Sequence, residues 1–112
     1  MKILVIGESC KDVYQYGDCV RLCPEAPVPV FQSNKNREEN AGMAMNVYNN
    51  MNSLSDAEIE IATNQKWEEI TKTRYVDFRT NSIVLRIDIN DVITQRCDLN
   101  KINFEQYDAV VI

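Results

Sequence analysis

Asp12 lies in an acidic and aromatic stretch, ESCKDVYQYGD, that directly follows the apolar run KILVIG. An ionised carboxylate is acceptor-only and can hold two hydroxyl donors at once, so an aspartate in this place suits a small polyol or a sugar. Gly42 and Asn46, in NAGMAMNVYNN, form a second candidate group. The missing side chain of a glycine lets a ligand approach backbone, and an asparagine amide offers both a donor and an acceptor. The four cysteines, Cys10, Cys19, Cys23 and Cys97, could also do chemistry. With no histidine in the chain a zinc site would need all four sulfurs to converge, and their wide spacing argues for free thiols and no metal.

These residues need elements to position them. Ile3 to Ile6 is an unbroken apolar run closed by Gly7, the pattern of a strand covered on both faces in an α/β protein. Ligands in such sheets bind beyond the carboxyl ends of the strands, so Asp12 is expected in a loop at that edge. CVRLCPEAPVPVF, with its prolines and alternating valines, reads as an edge ribbon. From Asn40 to Leu54 the apolar residues Met43, Val47, Met51 and Leu54 have helical spacing, and Gly42 at the start would leave first-turn N–H groups facing a ligand. EIEIA, Glu58 to Ala62, alternates as a half-buried strand. Thr71 to Phe78 and Ser82 to Ile89 read as a hairpin turning at Asn81. Asn90 to Asn100 is ambiguous, with a short helix ending near Asn100 as one reading, and YDAVVI is a second apolar strand.

Composition excludes several roles. The 112 residues carry a net charge of −5 and no cluster of Lys and Arg, so the chain has no electrostatic footprint for nucleic acid. No apolar stretch approaches the ~20 residues of a spanning helix, and the start lacks a secretion signal, so no membrane partner and a cytoplasmic location are expected.

Six stretches in order, ILVIGESCKDVYQYGD, RLCPEAPVPVF, AGMAMNV, TKTRYV, VLRIDIND and YDAVVI, resemble the ribokinase-like (PfkB) carbohydrate kinases. The likeness is strongest to the heptose-phosphate kinase domain of the ADP-heptose synthase type. R-x-x-P-E-A-P-V-P is the most specific part, since apolar strands and single glycines occur in many folds. The resemblance implies an α/β fold, the N-terminal part of a ribokinase-like domain: a mostly parallel sheet with a flanking helix, plus a small β lid with strands near 18–33 and 71–89. It implies substrate-binding roles for Asp12, Gly42 and Asn46, and makes Arg21, Glu25, Lys72 and Arg74 possible lid contacts. It also implies a homodimer formed through the lid strands, whose exposed edge would need a partner.

The chain departs from the family pattern in three places. The usual pair of glycines is reduced to Gly42, between Ala41 and Met43. The passage between Leu54 and Thr71 has room for about one strand and one turn. The family's catalytic aspartate, anion hole and ATP site belong to a segment after YDAVVI, so no catalytic residue is expected within residues 1–112, which read as an incomplete domain. ATP and Mg are expected for a complete parent kinase and not for this chain alone. The resulting expectation is the sugar-binding portion of an ATP-dependent kinase acting on a sugar or sugar phosphate, possibly a heptose phosphate. The alternative is a non-catalytic short relative that binds sugar or a second subunit.

Overall fold

The structure, a computed structural model, describes residues 1–112. Its strands are β1 (Lys2–Ile6), β2 (Ser9–Leu22), β3 (Pro29–Met43), β4 (Glu58–Ala62), β5 (Thr71–Asp77), β6 (Ser82–Ile89) and β7 (Ala109–Val111), and its one α-helix is α1 (Ala44–Leu54). They build two sheets. The first is parallel, with order β4-β1-β7, and the second is mixed, with order β3-β2-β5-β6. The fold is therefore mixed α/β with a parallel sheet and a flanking helix, as the apolar runs require.

β1 is central because it is the most continuously apolar strand: Ile3, Leu4 and Val5 are all buried. With Ile59 of β4 and Ala44 of α1, Ile3 and Val5 form a small core, against which Tyr48, Met51, Ile61 and Val111 pack. Burying each such aliphatic side chain contributes about 1.5–3 kcal/mol, and this layer holds α1 on the sheet. The helix begins after Met43, whose φ of 55° breaks the extended run of β3. It stops at Ser55, whose N–H donates to the Met51 carbonyl.

Several expectations are corrected here. Residues 8–18 are not a loop: Ser9 onward is the long strand β2, with Asp12 well inside it. The sequence alternates there, and β2 has a partner on each side, β3 and β5, to satisfy its backbone. Gly17 sits in the same strand beside a register shift. Asn40 to Met43 end β3 instead of starting the helix, so Gly42 is a strand residue. The buried face of α1 is Ala44, Tyr48 and Met51, while Met43, Val47 and Leu54 are exposed. Asn90 to Asn100 forms no α-helix, only a 3-10 turn at Leu99–Lys101, in keeping with the β-branched Val92, Ile93 and Thr94. The hairpin of β5 and β6 does turn at Asn81, with φ 55°. All of β6 is exposed.

Candidate functional site

Successive side chains of a strand point to opposite faces, so Cys10, Asp12 and Tyr14 share one face of β2. The register sets Asn40 and Gly42 of β3 on one side of them. On the other side come Lys72 and Arg74 of β5, opposite Asp12 and Tyr14, and then Asp88 and Arg86 of β6. The result is one polar sheet face assembled from four strands.

Its centre is Asp12. Arg74 Nη1 donates to Asp12 Oδ1 at 2.9 Å, with both side chains largely covered. The Arg74 guanidinium also lies 5.2 Å from the centre of the Tyr14 ring, a cation–π contact that limits where it can swing. The Cys10 thiol is 3.9 Å from the same Oδ1. Burial pushes the Cys10 thiol up from its ordinary value, and the adjacent Asp12 carboxylate adds to that shift. Asp12 Oδ2 has no protein hydrogen bond and faces Gly42, where a Cβ would lie 2.5 Å from it. One carboxylate oxygen is thus anchored, and the other lies against the buried Gly42 with no hydrogen-bond partner.

The surrounding charges are paired. Lys72 reaches Asp91 at 3.4 Å, and Arg86 binds Asp88 through two nitrogens at 2.7 and 3.0 Å. The Arg86 hydrogen bond holds the Asp88 carboxyl below its usual value. Arg74 and Arg86 stand directly opposite each other across β5 and β6, and their aspartate partners offset a repulsion that would otherwise weaken the pairing. The face is therefore close to neutral and rich in directional donors and acceptors, which suits a polyol better than a bare ion.

The structure brings Asp12, Gly42, Lys72 and Arg74 together. Asn46 is in the first turn of α1, exposed and without a bond to Asp12. Arg21 is exposed near the end of β2, and Glu25 is exposed in the bend between β2 and β3. The first-turn N–H groups of α1 are not free as expected: Ala44 N donates to the Glu8 carbonyl and Met45 N to Ser9 Oγ, each at 3.0 Å. Cys10, Tyr14, Arg86 and Asp88 were missed as neighbours of Asp12. Reading residues 9–16 at a period of two, as a strand, would have found the first two.

All four cysteines are free thiols. No group of three or more Cys, Asp or Glu side chains is gathered that could hold a metal ion. The carboxylates of this face, Asp12, Asp88 and Asp91, are paired with Arg74, Arg86 and Lys72.

Sequence comparison finds this chain similar to part of several curated proteins. No family model matches it. The relatives in question are bifunctional HldE proteins. That of Helicobacter pylori strain J99 is 53% identical over 53 residues, covering 47% of this chain and 11% of the relative. That of Blochmanniella pennsylvanica is 29% identical over 116 aligned residues, covering 94% of this chain and 24% of the relative. The chain thus spans a quarter or less of the length of these relatives. Among solved structures, a carbohydrate kinase from Agrobacterium tumefaciens aligns with 79% of this chain and 35% of its own, at 15% identity and a TM-score of 0.44.

Proposed function

We propose that this chain is the sugar-binding, acceptor-side portion of an ATP-dependent carbohydrate kinase, and that its ligand is a sugar or sugar phosphate such as a heptose phosphate. The observation that carries the reading is the state of Asp12. Arg74 fixes one carboxylate oxygen, and the other, which lies against Gly42, has no protein donor and remains an acceptor for sugar hydroxyls. Phosphoryl transfer is mostly positioning and charge stabilisation, and the acceptor hydroxyl must be held still before either can work. Asp12 supplies that hold.

In this reading the mixed sheet is the lid over the sugar, with Lys72 and Arg74 on its inner face. Asn46 is a further contact that a bound sugar would recruit from α1. Arg21 and Glu25, near the far end of the lid, would serve subunit contact before sugar contact. The lid strands, above all the exposed β6, are also the surface through which two copies would pair. ATP and Mg belong to the complete kinase and would be held by residues other than those of this face. The site of action is the cytoplasm.

Titration calorimetry with a heptose 7-phosphate and a hexose 6-phosphate tests the reading. The wild-type chain is expected to bind one of them, and Asp12→Asn to weaken binding about 10- to 100-fold, the effect of losing a charged acceptor. Absence of binding to either overturns it. With ATP and Mg added to the same samples the sugar phosphate is expected to stay unchanged, and formation of a doubly phosphorylated sugar would overturn the assignment of catalysis to residues outside this chain.

A further inference from the structure

Only Gly7 and Glu8 separate β1 of the parallel sheet from β2 of the mixed sheet, and no strand ladder joins the two sheets. The junction is made by side chains around Ser9, which has no exposed surface. The Ser9 N–H donates to Asn64 Oδ1 at 2.7 Å, and Asn64 Nδ2 donates back to the Ser9 carbonyl at 3.2 Å. The Asn64 amide, itself 3% exposed, thus stands in for a neighbouring strand at the place where the sheets part. Thr63 Oγ1 lies 2.7 Å from Ser9 Oγ and 3.1 Å from Asn64 Oδ1, closing the cluster. Ser9 Oγ also accepts from Met45 N at 3.0 Å, and so caps α1 from outside the helix.

One buried hydroxyl and one buried amide therefore connect β2, α1 and the end of β4. We propose that Ser9, Thr63 and Asn64 form a positioning joint that sets the mixed sheet, and with it Asp12 and Gly42, at a fixed angle to the parallel sheet and α1. Ser9 is three residues from Asp12 on β2 and pairs with Met43, the neighbour of Gly42. None of the three reaches the unbonded Asp12 oxygen, so they act through backbone placement. Buried polar groups of this kind have no alternative partner in the interior, which gives the joint one geometry where an apolar contact would slide.

The test compares amide resonances and hydrogen exchange in the wild-type chain, Ser9→Ala, and Thr63→Val, which replaces a hydroxyl with a methyl group of similar size. The expected result is faster exchange at Met45 in Ser9→Ala, with displaced amide resonances at Asp12 and Gly42 in both variants. Loss of stability with Asp12 and Gly42 unmoved overturns the proposal, because it would leave a purely local packing role. If Ser9→Ala does not fold, Thr63→Val decides by the same criterion. A second arm rests on the sugar-site reading: with a hexose 6-phosphate as probe, Ser9→Ala is expected to bind about tenfold more weakly, one buried hydrogen bond's worth. Unchanged affinity in a folded variant with displaced resonances also overturns a positioning role. Failure of the wild-type chain to bind the probe counts against the sugar site, and the resonance arm still decides the joint.

Discussion

Asp12 occupies the space that a side chain at residue 42 would need. A Cβ placed on Gly42 would sit 2.5 Å from Asp12 Oδ2, 2.8 Å from Cys10 Sγ and 3.0 Å from Asp12 Cγ. The glycine is required by close approach across β2 and β3, since its backbone φ is not in the left-handed region. Gly42→Ala is expected to displace the carboxylate and to lower stability by about 1–3 kcal/mol, the usual effect of overpacking. Urea denaturation measures the loss, and the Asp12 side-chain resonance reports the displacement.

Removing Arg74 should expose the dependence of Asp12 on its partner. Arg74→Met keeps the aliphatic stem and deletes the ion pair, leaving a half-buried carboxylate whose remaining side-chain hydrogen bond is from the Cys10 thiol. A loss of about 1–2 kcal/mol is expected, less than for a fully buried pair because water still reaches both groups. The double variant with Asp12→Asn should lose less than the sum of the two single changes. A double-mutant cycle by thermal or chemical denaturation measures that coupling.

The four thiols should separate by reactivity. Cys10 is 1% exposed and its thiol is pushed up by burial, whereas Cys19, Cys23 and Cys97 are half-buried. The thiolate is the reactive species, so Cys10 is expected to label only when the sheet opens. Timed alkylation followed by peptide mass analysis should show three cysteines modified well before Cys10, and equal rates in urea.

Acid should weaken the parallel sheet first at Glu60. Lys2 Nζ lies 2.8 Å from Glu60 and the Tyr107 hydroxyl donates to the same carboxylate. The Lys2 hydrogen bond, then that of Tyr107, holds the Glu60 carboxyl below its ordinary 4.5. A carboxyl whose folded value is depressed stabilises the fold in full above its unfolded value, and that contribution is lost as pH falls through the folded value. Melting temperature should therefore drop as pH is lowered below 4.5, and Glu60→Gln should flatten that limb of the profile. Melts recorded from about pH 6 to pH 3 check it.

Much of this arrangement is legible in the residues, and the exceptions have physical causes. KILVI and EIEIA show their periods plainly, because burial on one or both faces dictates residue type there, and the β5–β6 hairpin is marked by its β-prone arms and the turn at Asn81. Asp12 stands out because it is a carboxylate placed just after an apolar strand. Its position inside a strand is hidden by the polar residues around it: β2 carries charged and aromatic side chains at half-buried positions, and composition alone then resembles a loop. The α1 register was misread because Met43 and Val47 are apolar yet exposed, whereas the small Ala44 makes the core contact. The pairing of Arg74 with Asp12 joins residues 62 positions apart and depends on the parallel register of β2 and β5, which no local pattern encodes.

The pairing of β1 with β7 also fixes an order of events in time. The Lys2 N–H donates to the Asp108 carboxylate and the Asp108 N–H to the Lys2 carbonyl, so residues 2 and 108 are clasped across 106 positions. The β2–β3 ribbon needs only its own neighbouring residues and can zip while synthesis continues. β1 cannot gain its second neighbour until residue 111 has left the ribosome. Its apolar run is therefore made long before it is enclosed on both edges, and one edge stays unpaired while the intervening residues are synthesised.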